Sequence, residues 1–156
     1  MRHVDKCHMP CRAVLFAICC GSASATPIST VRLGGLFPRF RTAASGYSKD
    51  NSGIRRFVAF VQAIQEINNK TDGVADHLLP NTRIAFTQRD SKRDGATAFF
   101  EARALVTQAF GGQGVDAIVG AASSGPSALA ALALAETATP QISYSSTSPT
   151  LSEGSM

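Results

Sequence analysis

Val115-Asp116-Ala117-Ile118-Val119-Gly120-Ala121-Ala122-Ser123-Ser124-Gly125-Pro126 passes from an apolar run, through small residues and hydroxyls, into an Ala/Leu-rich stretch. Val115 to Val119 reads as a buried strand. Ser123-Ser124-Gly125-Pro126 reads as a helix start, with proline near the first turn, where its missing N–H costs nothing. A buried strand turning directly into a helix is the building unit of a parallel α/β sheet.

The same alternation extends both ways. Upstream, Val31 to Phe37 reads as a strand, followed by a polar loop from Arg39 to Asn51. Ile54, Phe57, Val58, Val61 and Ile64 form one apolar stripe on a helix of about 16 residues. That helix ends in the turn-forming run Asn68 to Gly73. Thr82 to Asp90 is a second strand. Phe99, Ala102, Val106, Ala109 and Phe110 mark a second helix, closed by Gly111-Gly112. Downstream, Pro140 stops the third helix and Gln141 to Tyr144 is a fourth strand. The order β-α-β-α-β-α-β implies right-handed crossovers and a doubly wound parallel sheet. Its last strand would leave Ile142 and Tyr144 on an open edge, which invites association.

Hydrophobic residues make up 44% of the 156 and charged residues 17%, which excludes a disordered or fibrous chain. The formal charge is +4, of which Arg2, Lys6 and Arg12 against Asp5 leave +2 in the first 25 residues. The balance is too weak for a nucleic-acid footprint. Met1 to Arg12 is basic, Ala13 to Cys20 is apolar, and Ser22-Ala23-Ser24-Ala25 supplies small residues. These are the parts of a secretory signal peptide over residues 1–25, with cleavage after Ala25. The four cysteines (Cys7, Cys11, Cys19, Cys20) all lie inside it. The Cys7/Cys11 spacing beside His3 and His8 has zinc-ligand chemistry but would be lost on cleavage, so no metal is expected.

In an open parallel sheet, ligands bind outside the carboxyl ends of the strands. Here those ends carry Gly120 to Gly125 and Ser145-Ser146-Thr147, two loops dense in hydroxyls. Free N–H groups at the start of the third helix suit a carboxylate or phosphate, although serines there also serve as helix caps. Gly120 to Ser127 has phosphate-loop spacing, but Pro126 stands where the lysine must be, and no strand is followed by GxGxxG. No nucleotide cofactor is expected. Ala121 to Gly125 approximates the GxSxG nucleophile turn of a serine hydrolase. The base would have to come from elsewhere, because His3, His8 and His77 all precede Ser123. Arg55-Arg56 sits at the start of the first helix, where cations oppose the dipole, which suits an anion-binding role. Asn69-Lys70-Thr71 is an N-glycosylation sequon in an expected loop.

Asp116 to Ser124 and the run Pro140-Gln141-Ile142-Ser143-Tyr144-Ser145-Ser146-Thr147-Ser148-Pro149, with Leu151-Ser152, resemble receptor ligand-binding regions of the type I periplasmic-binding-protein fold. The pattern is most similar to the Venus-flytrap domains of class C G-protein-coupled receptors, the metabotropic glutamate receptor type. Val31 to Pro38, Gly53 to Arg56 and Leu79 to Thr82 fall in the family's order. The resemblance implies that residues 26–156 form the N-terminal part of lobe 1 of a longer, extracellular, membrane-tethered protein. It implies that Ser124 takes a ligand's α-carboxylate, that Ser145, Ser146 and Thr147 line the next loop, and that Arg56 meets a distal acidic group. The partners so implied are an amino acid or similar carboxylate, a homodimer through lobe 1, and a membrane domain beyond this chain. Ser52 stands where glutamate-type members often carry tyrosine, and Lys92 where many carry a disulfide cysteine. A solute-binding protein of a transport system shares the fold and is the alternative reading; a serine hydrolase fragment is the third.

Overall fold

Residues 29–74 and 76–151 are described by the computed structural model. The signal peptide expected over residues 1–25, its four cysteines and Ser152 lie outside them.

Strand β1 (Ser29–Phe37) runs parallel to β4 (Thr82–Asp90) on one side and to β5 (Ala117–Gly120) on the other, and β5 pairs with β6 (Gln141–Ile142). The strand order is β4-β1-β5-β6. Helix α1 (Asn51–Asn68) carries the chain from β1 outward to β4. Helix α2 (Gly95–Gly112) brings it back past β1 to β5, and α3 (Ser124–Ala135) continues outward to β6. With right-handed crossovers, this reversal puts α1 on one face and α2 with α3 on the other. The α/β doubly wound sheet expected from the sequence is therefore present. Its switch point lies between the carboxyl ends of β1 and β5.

The two faces are packed with different materials. Ala98, Ala102, Leu105 and Ala109 of α2 meet Ala130, Ala133 and Leu134 of α3 over Leu36 and Ile118. Alanine at these positions lets both helices lie close to the sheet and to each other. On the opposite face Phe37 is buried against Phe57 and Phe60 of α1, at centroid distances of 5.7 and 5.2 Å. Phe60 meets Phe86 of β4 edge-on at 5.6 Å.

The sequence reading needs correction in four places. The loop expected over Arg39 to Asn51 holds an antiparallel hairpin, β2 (Phe40–Ala43) and β3 (Gly46–Lys49). It had no apolar alternation to reveal it, because it is mostly exposed and held by backbone bonds, with Arg41 Nε donating to Ser48 Oγ at 3.2 Å. Strand β5 starts at Ala117 rather than Val115. Strand β6 ends at Ile142, because the Ser143 hydroxyl donates to Ala121 O at 2.8 Å and side-chain bonds replace the ladder. Finally, Tyr144 is not on an open edge. It folds back to stack on Phe37, with centroids 5.3 Å apart and planes 12° from parallel, leaving Ile142 as the exposed apolar residue there.

Candidate functional site

The crevice is built on the chain ends above the switch point. Each helix that starts there is begun differently. Asp50 caps α1: its carboxylate accepts from Gly53 N at 3.0 Å and Ser52 Oγ at 2.6 Å. Asp94 caps α2, accepting from Thr97 N at 2.7 Å. Ser123 precedes α3 in extended conformation, and its side chain makes no capping bond. Among the described residues, the first-turn N–H groups of α3 thus have no carboxylate partner, and the loop after β6 lies against this turn at Ser124. A helix start in this state favours an anion.

That loop is held against α3 by hydroxyls. Ser124 Oγ accepts from Thr147 N at 3.3 Å and from Ser148 N at 3.2 Å. Both bonds use its lone pairs, so its own proton remains available to a ligand oxygen. Ser145 Oγ donates to Ala122 O, which leaves its lone pairs free to accept from an ammonium. Thr147 is exposed, and among the described residues its hydroxyl has no partner. Ser146 is placed differently: its hydroxyl lies 2.7 Å from Ser127 Oγ and 2.6 Å from Ser143 Oγ. Ser127 is itself buried and donates to Ala121 O at 3.2 Å. Ser146, half-buried, therefore ties the loop after β6 to α3, and its bonds are with the framework.

Arg56 lies on the α1 side. Its guanidinium sits 5.4 Å from the centroid of the Tyr144 ring. The two residues line a shallow, open pocket of about 320 Å³ with Phe37, Ala59, Phe60 and Val119. Among the described residues the Tyr144 hydroxyl has no partner, and burial pushes its pKa up to about 12, with Arg56 pulling the other way. The sequence singled out Ser124, Ser145, Thr147, Ser146 and Arg56. The structure brings the first three together at the α3 start and sets Arg56 against the aromatic stack.

Sequence reasoning missed Asp50. Its carboxylate is buried and paired with Arg93, which also donates to Ser52 Oγ at 2.9 Å. Burial alone would push the Asp50 pKa up. The hydrogen bonds from Arg93, Ser52 and Gly53 N outweigh it and hold the carboxyl well below the usual range. Aspartate directly before an apolar helical period was the signal that could have found this cap. A lowered native pKa adds stability above the unfolded carboxylate's pKa, and that stability is lost as pH falls. Urea midpoints should therefore drop between about pH 4 and pH 2, and Asp50→Asn should flatten that acid limb. The same change should cost about 1–2 kcal/mol at neutral pH, because the Arg93 partner is partly solvated. An acid limb of unchanged steepness would assign the loss to other carboxylates.

A parallel sheet with an open helix start and converging hydroxyls at its switch point is the architecture of a small-ligand binding lobe. The profile described as "Receptor family ligand binding region" matches residues 55–156, and the chain belongs to that family. It is 29% identical over 163 residues to metabotropic glutamate receptor 6 of Rattus norvegicus, covering 87% of this chain and 18% of the receptor. With the same receptor of Oryctolagus cuniculus it shares 30% over 148 residues, covering 78% and 16%. The chain thus spans less than a fifth of the length of these relatives. Among solved structures it is similar to LivJ of Streptococcus pneumoniae, the substrate-binding protein of a branched-chain amino acid transporter, in complex with isoleucine. The TM-score is 0.62 at 28% identity, over 81% of this chain and 32% of LivJ.

Proposed function

We propose that this chain supplies the first part of lobe 1 of an extracellular two-lobed domain that captures a small amino acid. The domain belongs to a membrane receptor of the class C G-protein-coupled type. Its role is binding rather than catalysis, and no cofactor takes part. The observation that carries the reading is the uncapped start of α3 at the switch point, beside Thr147, whose hydroxyl is unpartnered among the described residues.

The hydroxyl chemistry matches a zwitterion. Helix N–H groups and the Ser124 proton meet the α-carboxylate, while Ser145 and Thr147 accept from the α-ammonium. The second lobe would close over the ligand from the other side. Residues 1–25 direct export and are removed, dimerisation runs through lobe 1, and a membrane domain follows. Similarity to a transporter's substrate-binding protein supports a second reading, a free or tethered solute-binding protein of a transport system. Seven membrane helices downstream decide for the receptor, and their absence from the complete gene decides for the transporter.

Calorimetry on the complete domain tests the site. Hydrogen bonds to a charged group contribute roughly 1.5–3 kcal/mol, so Thr147→Ala should weaken amino-acid binding about ten-fold or more. Ser146→Ala should lower thermal stability and leave affinity within about two-fold, since its hydroxyl bonds within the framework. Arg56→Ala should change affinity only for ligands with an acidic side chain. Unchanged affinity in Thr147→Ala, with the fold intact, would place the site elsewhere.

A further inference from the structure

Asn69-Lys70-Thr71 is the one Asn-x-Ser/Thr sequence in the chain. Helix α1 begins beside the carboxyl end of β1 and ends at Asn68, whose side chain bonds both backbone groups of Ile84 (Nδ2 to O at 2.8 Å, N to Oδ1 at 2.7 Å). Ile84 lies near the amino end of β4, so the residue that follows the helix sits at the pole opposite the ligand crevice. Asn69 closes α1 with its backbone N–H on Gln65 O at 2.9 Å, and its side chain is exposed.

The local geometry brings the two sequon side chains together. Asn69 Oδ1 accepts from Thr71 Oγ1 at 2.9 Å and from Thr71 N at 3.3 Å. Asn69 Nδ2 donates to the exposed Asp72 Oδ2 at 2.9 Å. These bonds join neighbours within four residues, so the turn can form on a nascent chain before any tertiary contact exists. Exposure of Asn69, Thr71 and Asp72 leaves room for a large polar group in the folded protein.

We propose that Asn69 carries an N-linked oligosaccharide, which rests on the extracellular reading given above. In the transfer, Asn69 Nδ2 forms a bond to the anomeric carbon of an oligosaccharide carried on a polyprenyl diphosphate. The bond from that carbon to the diphosphate oxygen breaks, and the lipid diphosphate leaves with the electron pair. The amide proton passes to a base of the secretory transferase. The glycan projects from the pole away from the crevice and leaves ligand access open.

The test is translation of the full chain into microsomes behind a heterologous secretion leader, so that entry does not depend on residues 1–25. The protease-protected product should show a band of lower mobility that collapses after peptide-N-glycosidase treatment. Asn69→Gln and Thr71→Ala should abolish that band, whereas Thr71→Ser should keep it. A protected chain with one mobility, with and without the glycosidase, would overturn the proposal, as would a shifted band that survives Asn69→Gln. A parallel translation under the chain's own first 25 residues scores export separately. Failure to enter in that arm alone counts against the signal-peptide reading and leaves the site standing.

Discussion

Ser123→Asp is expected to abolish ligand capture while leaving the fold at least as stable. Ser123 is extended and makes no capping bond before α3, whereas Asp50 and Asp94 cap the other two helices at this end of the sheet. Aspartate at position 123 would accept from the Gly125 N–H and stabilise the helix by about 0.5–1 kcal/mol. It would also place a fixed negative charge where the ligand's carboxylate is proposed to dock. Losing one charge-assisted bond and adding a like charge should weaken binding by about a hundred-fold or more. Thermal unfolding and calorimetry on the complete domain read the two effects separately. A raised melting temperature with unchanged affinity would detach the helix start from ligand binding.

Gly53→Ala is expected to have the largest effect on the fold, with the opposite sign from helix propensity. Alanine inside an exposed helix is worth about 1 kcal/mol over glycine. Here, however, a Cβ on Gly53 would come to 1.7 Å from Pro38 O and 2.9 Å from the Pro38 ring. A backbone carbonyl cannot move aside as a side chain can, so α1 must lift from the end of β1. The displaced helix carries Phe57 and Phe60, which cover Phe37. A cost above about 3 kcal/mol is expected, seen as a collapse of the urea midpoint. Gly120 has a similar constraint at the end of β5, with φ of 130° and Leu36 O 2.1 Å from a Cβ. A stability gain in Gly53→Ala would mean that α1 does not pack on Pro38 in this way.

The frame of the fold could be read from residues alone because its signals are local. The apolar stripe from Ile54 to Ile64 and the runs Val31 to Phe37 and Thr82 to Asp90 each carry their period within one element. The hairpin of Phe40 to Lys49 carries none, since exposed strands need no apolar face. Tyr144 was misplaced because its partner, Phe37, is more than a hundred residues away in sequence and only the sheet order brings them together. The hydroxyls of Ser124, Ser145 and Thr147 are legible as a candidate site from the strand-to-helix turn and the family pattern. What separates Ser146 from them is the direction of one hydroxyl, which is set by Ser127 and Ser143 across the loop. Asp50 and Arg93, 43 residues apart, are paired only by the approach of α1 to the end of β4.

Recognition of the carboxylate by the open start of α3 is the central claim, and one titration tests it most directly. Calorimetry of the complete domain with a panel of L-amino acids should be set against the matching amines, which lack only the carboxylate. At least one amino acid should bind saturably, with its amine weaker by about a hundred-fold or more, because the helix N–H groups and the Ser124 proton would have no anion to meet. An amine that binds as tightly as its amino acid would contradict the assignment, and so would a panel in which no amino acid binds.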